Sequence, residues 1–173
     1  SIGILTGAGV SVASGIPDFR SSGGMYETLR PDLITASKAE KALLFQDPTY
    51  VVSWEIFRNN QFPYLEVRRP FLLGTREETW KATIAHRFAE LLHTKTHKLT
   101  RVFTQNIDGL DRQCKNIPPE RIVSVHGSIA DVCCENCNHQ ADFDEFCDAI
   151  QSNIKDIYKL DPLAPEVSTP ILC

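Results

Sequence analysis

Long apolar runs are missing from this chain. Residues 1–17 come nearest, since they carry no charge, but Gly3, Gly7, Gly9, Gly15 and Pro17 interrupt them and no basic segment precedes them. That pattern reads as a strand followed by a turn rather than as a signal peptide or membrane span. Cysteine is scarce as well: 6 of 173 residues, below the roughly 8–10% of a disulfide scaffold. An excess of positive charge is also lacking, with 18 Lys+Arg against 22 Asp+Glu and a formal net charge of −4. Nucleic acid or an anionic membrane therefore has no electrostatic claim to be the main partner. Internal repeats are absent too. What remains is an ordinary globular composition of 42% hydrophobic and 23% charged residues, long enough for one domain with a small insert.

The cysteines are unevenly placed. Five of the six, Cys133, Cys134, Cys137, Cys147 and Cys173, follow residue 132. Adjacent cysteines followed by Cys-x-x-Cys suit metal chemistry better than structural bridges, which points to a reducing compartment.

Along the chain, Ile2, Ile4 and Leu5 form a short apolar run that suits a buried parallel strand. Pro17 to Pro31 reads as a loop, with four Ser/Gly residues at Ser21–Gly24. Ser37 with Glu40 forms a capping box, and Asp47-Pro48 opens a further helical pattern at Tyr50, Trp54 and Phe57. Thr75 with Glu78 predicts a second box, opening a helix with the stripe Trp80, Ile84, Phe88 and Leu91 or Leu92. Val102–Phe103 and Ile122, Val123 and Val125 are further strand candidates, with a helical turn or two over Asp108–Cys114 between them. Asp142 caps a helix pattern ending near Ile154. This order predicts an α/β fold: a Rossmann-like parallel sheet over residues 1–130 and the start of a small inserted metal-binding lobe over 131–173.

Three polar clusters follow the strand candidates. Gly7-Ala8-Gly9-Val10-Ser11 lies directly after the first, where glycines let backbone N–H groups approach a phosphate. Alone it is equally a tight turn, and Val12 stands where the dinucleotide fingerprint has its third glycine. Gly15-Ile16-Pro17-Asp18-Phe19-Arg20 then offers an acid, an aromatic and a base on one loop. Thr104-Gln105-Asn106-Ile107-Asp108 sits at the carboxyl end of a strand, the usual place for ligands in an open α/β sheet. An Asn/Asp turn accounts for it equally well. Val125-His126-Gly127 ends the next strand and offers a general base, although a lone histidine is more often structural. His86 reads as a satisfied helix residue.

Taken in order, Gly-Ala-Gly-Val-Ser (7–11), Gly-Ile-Pro-Asp-Phe-Arg (15–20), Thr-Gln-Asn-Ile-Asp (104–108) and His-Gly (126–127) resemble the signatures of the sirtuins. These are NAD-dependent protein deacylases of the silent-information-regulator type, and the resemblance runs from Gly7 to Cys173. It implies that Gly7, Ala8, Gly9, Val10 and Ser11 cradle NAD phosphates, with Asp18, Phe19 and Arg20 on the cofactor loop. Gln105, Asn106, Ile107 and Asp108 would surround the nicotinamide ribose and carboxamide. In the family's chemistry the acetyl-lysine oxygen attacks the ribose C1′ and nicotinamide leaves. His126 would then activate a ribose hydroxyl, and Asn106 would share the catalytic role. Phe19 would shield the reacting centre from water.

The resemblance also implies a structural zinc held by four cysteines. Cys134 and Cys137 match its first pair, and Cys173 is the candidate third ligand. Cys133 and Cys147 compete by residue type, but Cys147 falls within a helix pattern as a core residue. The implied partners are acetylated proteins such as histones, in the nucleus or cytoplasm, with neither direct nucleic-acid nor membrane binding. Sirtuins that prefer acidic acyl groups carry a Tyr/Arg pair after the first motif. Here Tyr26 is followed by Glu27-Thr28-Leu29, which favours acetyl-lysine. Protein mono-ADP-ribosyl transfer and a non-catalytic NAD- or zinc-dependent interaction module are the alternatives. Because the family pattern continues past Cys173, the expectation is a fragment of a catalytic domain, inactive by itself.

Overall fold

The computed structural model describes residues 1–16 and 24–173 and divides them into two compact units. The first joins residues 1–16 to Glu77–Asp131; the second joins residues 24–76 to Val132–Cys173. The chain leaves the first unit for the second at Asp131/Val132, where the composition turns cysteine-rich. The helices between residues 38 and 76 belong with the cysteine segment.

In the first unit, β1 (Ile2–Thr6), β2 (Leu99–Thr104) and β3 (Ile122–Ser124) form a parallel sheet in the order β1-β2-β3. The register sets Thr6 beside Thr104 and Thr104 beside Ser124, so the three strands end together. Two further bonds extend the ladder past those ends, Gln105 N–H to the Thr6 carbonyl and Val125 N–H to that of Thr104. Buried Ala89, Leu99, Val102, Cys114 and Ile117 form the core under this sheet, with Ile4, Ala82, Leu92 and Ile122 packed against them. The expected turn before β3 is a short 3-10 segment, Leu110–Gln113.

The second unit carries α1 (Lys38–Gln46), α2 (Trp54–Asn59) and α3 (Phe62–Arg76) before the cysteine segment, and α5 (Phe143–Asn153) after it. Between these sets, α4 (Ile84–Leu91) belongs to the first unit. Ser37 and Glu40 form the capping box expected for α1, and Asp142 caps α5 through the N–H groups of Asp144 and Glu145. The pattern after Asp47 divides: Asp47 caps a 3-10 segment, Pro48–Val52, and α2 starts afresh after Ser53. Leu29, Ile34, Leu44, Val51, Val67 and Ile157 make the core of this unit. Cys147 is fully buried, as its place in a helix pattern implied.

Two helical expectations are corrected. Thr75 opens no helix: it lies near the end of α3, where its hydroxyl donates to the Phe71 carbonyl. The next helix starts at Ile84, capped by Thr83, and Glu78 sits in the intervening turn at φ 48°. Of the expected stripe, Ile84, Phe88 and Leu91 are exposed, while α4 buries His86 and Ala89. The other correction is α3 itself, which the apolar pattern does not announce. Buried charges interrupt its inner face, and Pro70 lies within it.

Two of those charges, Glu66 and Arg69, are hydrogen-bonded on several sides. Glu66, with no exposed surface, accepts from the Thr35 N–H at 2.8 Å and the Ser168 hydroxyl at 2.6 Å. Arg69 donates to the Ile154 and Gln151 carbonyls and to Asp161 at 2.6 Å. Buried ions are tolerated only when hydrogen-bonded in this way.

Candidate functional site

Each strand of the parallel sheet hands over to one of the polar segments singled out in the sequence. The glycine loop follows Thr6, Gln105–Asp108 follows Thr104, and His126 lies in the turn just beyond Ser124. All three belong to the first unit. Because β2 lies between β1 and β3, the amide cluster stands between the glycine loop and the histidine at the strands' carboxyl ends.

The glycine loop forms two 3-10 turns, Ala8–Val10 and Val12–Ser14. Ser11 is buried, and its hydroxyl donates to Asp108 Oδ2 at 2.7 Å. Asn106 Nδ2 donates to the Gly7 carbonyl at 3.0 Å and to Ser11 Oγ at 3.1 Å. Asp108 Oδ1 accepts the Leu110 N–H at 2.9 Å. Asn106 and Asp108 therefore lock the glycine loop to the end of β2, each through a side chain too short to tolerate slack.

Gly7 lies close to the Gln105 side chain. A Cβ there would stand 3.2 Å from Gln105 Oε1, whereas no described atom lies within 4 Å of one at Gly9. One glycine admits the neighbouring amide and the other leaves the backbone open to a ligand. An open backbone of this kind can admit a phosphate. His126 is exposed, and Gly127 turns the chain beside it at φ 76°. Asp18, Phe19 and Arg20 lie outside the described residues.

Four more buried polar residues lie near this cluster. The Thr83 hydroxyl donates to the Val10 carbonyl at 2.7 Å, and the Thr83 N–H donates to His86 Nδ1 at 3.1 Å. Thr104 Oγ1 accepts the Asn106 N–H at 3.2 Å. Burial holds the Asp111 carboxyl above the ordinary range, opposed by the nearby His86. Sequence reading passed over Thr83 and Asp111 and took His86 for a satisfied helix residue. Its Nε2, however, is buried and has no hydrogen-bond partner among the described residues.

The second unit holds a separate cluster. Strands β4 (Val132–Cys133) and β5 (Gln140–Ala141) pair antiparallel. The turn between them closes through Asn138 N–H to the Cys134 carbonyl and Cys134 N–H to that of His139. Asn138 takes the left-handed conformation at φ 56°, as asparagine readily does. Cys134, Cys137 and Cys173 bring their sulfurs within 4.8 Å of one another, with Cys137 and Cys173 at 3.8 Å. N–H groups of Cys137 and Asn136 lower the Cys134 thiol pKa, while the neighbouring Cys137 and Cys134 thiols push Cys173 up to about 11. Three converging thiols match the soft donor set that zinc prefers. Cys133 stands outside the trio. Arg58 of α2 anchors the turn through Glu135 at 2.8 Å.

The model of the Sir2 family matches residues 7–159. The NAD-dependent protein deacetylase sir-2.1 of Caenorhabditis elegans is 37% identical over 145 residues, covering 82% of this chain and 21% of that protein. The human NAD-dependent protein deacetylase sirtuin-1 is 36% identical over 154 residues, covering 87% of this chain and 17% of its own length. The chain thus spans about a fifth of these curated relatives. Among solved structures, "The Structural basis of Sirtuin Substrate Affinity" superposes with a TM-score of 0.65 at 22% identity. It covers 92% of this chain and 55% of the other.

Proposed function

This chain belongs to the Sir2 family, and on that premise we propose that it serves in NAD-dependent removal of acetyl groups from protein lysines. The observation that carries this reading is the meeting of the glycine loop, the Gln105–Asp108 segment and His126 at the ends of three adjacent parallel strands. NAD, when bound, supplies the ribose centre that accepts the acyl group as nicotinamide departs.

The remaining work belongs to the chain. The open backbone at Gly9 and the N–H groups of Ala8 and Gly9 receive the phosphates. Gln105, Asn106 and Asp108 orient the nicotinamide ribose and carboxamide through paired donors and acceptors. His126 takes a proton from a ribose hydroxyl, a task suited to an imidazole near neutral pH. Asp18, Phe19 and Arg20 complete the cofactor loop, with Phe19 excluding water. Cys134, Cys137 and Cys173 would supply three of the four cysteine ligands that the resemblance implies, and a zinc closed by a fourth would be structural, with no position left for substrate.

The substrates are acetylated proteins, histones among them. Relatives named as a protein deacetylase and as a histone deacetylase support this class. The run Tyr26-Glu27-Thr28-Leu29, in place of a Tyr/Arg pair, supports acetyl over acidic acyl groups. Among the described residues no helix is long and apolar enough to cross a membrane, and the proposed setting is nuclear or cytoplasmic.

The test is incubation of the full-length protein with an acetylated peptide and NAD. Free nicotinamide together with O-acetyl-ADP-ribose supports deacetylation. ADP-ribosylated protein without deacetylated peptide would replace it with mono-ADP-ribosyl transfer. No turnover, with His126→Ala indistinguishable from wild type, would leave a binding module.

A further inference from the structure

Cys173 stands 36 positions beyond Cys137, yet their sulfurs lie 3.8 Å apart. Apolar burial does not hold the end of the intervening chain in place. Leu160, Leu163, Val167 and Leu172 are each at least 70% exposed, and Ser168 is the one buried residue among the described residues 160–173. An irregular segment of this kind loses conformational entropy when it is ordered, so specific bonds must fix it. Three polar side chains on and beside α3 supply them. Arg69, only 2% exposed, donates to Asp161 at 2.6 Å. Glu66, with no exposed surface, accepts from the Ser168 hydroxyl at 2.6 Å. Gln61, immediately before α3, bonds the Ile171 backbone through both ends of its amide: Nε2 donates to the carbonyl at 3.4 Å and Oε1 accepts the N–H at 3.3 Å. As α3 is followed backward from Arg69 to Gln61, the tail advances from Asp161 to Ile171, two residues short of Cys173. The other half of the trio is held from the same place. Arg58, three positions before Gln61, pairs at 2.8 Å with Glu135, which lies between Cys134 and Cys137.

We propose that α3 is the rail that delivers Cys173 to Cys134 and Cys137, with Glu66–Ser168 and Gln61–Ile171 as the positioning contacts of the metal site. Polar groups outside the ligand set raise metal affinity by fixing the ligands before the ion arrives. With the tail tethered, the three thiols already stand within 4.8 Å of one another. Without the tethers, each binding event must also close the 36-residue loop from Cys137 to Cys173. The inference rests on the zinc reading and extends it to Gln61, Glu66 and Ser168, which are not among the ligands. It also accounts for the two buried charges of α3, which an apolar helix face would avoid.

The test is the zinc affinity of the full-length protein, measured by competition with a chromophoric chelator. Ser168→Ala and Gln61→Ala should each weaken zinc binding about tenfold, as loss of a bond that orients a ligand predicts. Ser168→Thr keeps the hydroxyl and should stay within about threefold of wild type. Arg76→Ala is the control. Arg76 also lies on α3 but pairs with Asp148 of α5 at 2.6 Å rather than with the tail. Whatever that change does to stability, zinc affinity should stay within about twofold of wild type. The proposal is overturned if either alanine variant at Ser168 or Gln61 binds zinc as tightly as wild type, if Ser168→Thr is as weak as Ser168→Ala, or if Arg76→Ala loses as much affinity as they do. Should Ser168→Ala fail to fold, Gln61→Ala, at a partly exposed position, decides against the same control. A wild-type protein that takes up no zinc overturns the metal reading and this inference together. One zinc per wild-type chain with unaffected variants overturns only the inference.

Discussion

Ser11 and Asp108, 97 positions apart in sequence, are joined by a buried hydrogen bond of 2.7 Å. The serine hydroxyl also accepts from Asn106, so it bridges the two side chains that close the site. Ser11→Ala should destabilise the protein by about 2 kcal/mol, the usual cost of leaving a buried carboxylate short of a donor. The same change should weaken NAD binding about tenfold. Urea unfolding and calorimetric titration with NAD check the two effects.

Asp111 gives a pH signature of known sign. Its carboxyl titrates above the ordinary 3.8 in the native state because burial outweighs the opposing influence of the nearby His86. The folded protein therefore holds this proton more tightly than the unfolded chain does. That contribution is complete below the unfolded value and is lost as pH rises towards the native one. Asp111→Asn cannot titrate, so its stability should fall less than that of wild type from about pH 4 upward through that window. Urea midpoints measured at intervals between pH 4 and 7 test this; parallel curves would contradict it.

Zinc removal should act on stability. The trio Cys134, Cys137 and Cys173 is assembled around a hairpin turn with few apolar contacts of its own, so metal binding supplies folding energy there. The full-length protein should carry one zinc per chain, and a chelator should lower Tm by several degrees. Cys134→Ala and Cys137→Ala should abolish the metal, whereas Cys133→Ala should retain it. Elemental analysis of the purified variants decides the matter.

His126→Ala should separate the two halves of the proposed reaction. Removing a general base costs on the order of 10²–10⁴-fold in the step that needs it. Formation of O-acetyl-ADP-ribose should fall by at least about a hundredfold, while exchange of labelled nicotinamide into NAD persists, since that step requires no proton removal. Equal loss of both would assign His126 to binding.

The sheet and its clusters were legible because their signals are local. Short apolar runs followed at once by Gly-Ala-Gly or Gln-Asn-Ile-Asp mark both a strand and the place where it ends. The capping boxes were less dependable. Ser37 with Glu40 stands clear of other structure and caps α1, whereas Thr75 with Glu78 has the same spacing inside a helix that already satisfies its backbone. Helix α3 escaped notice because Glu66, Arg68 and Arg69 occupy its buried face. Their partners lie as far off as Ser168 and Asp161, and no window of sequence contains both. Thr83 was hidden for the same reason: it acquires meaning only through a residue elsewhere in the chain.

The parallel pairing of β1 with β2 has a consequence for how the protein comes into being. Every register contact between those strands joins residues nearly a hundred positions apart, and parallel neighbours of such high contact order form slowly. A ribosome must release the chain past Ser124 before the glycine loop meets Asn106, Asp108 and the turn bearing His126. Until then the nascent chain has no site for a nucleotide. On the NAD reading proposed above, the cofactor would bind only the finished arrangement and would act as a mass-action brake on its unfolding.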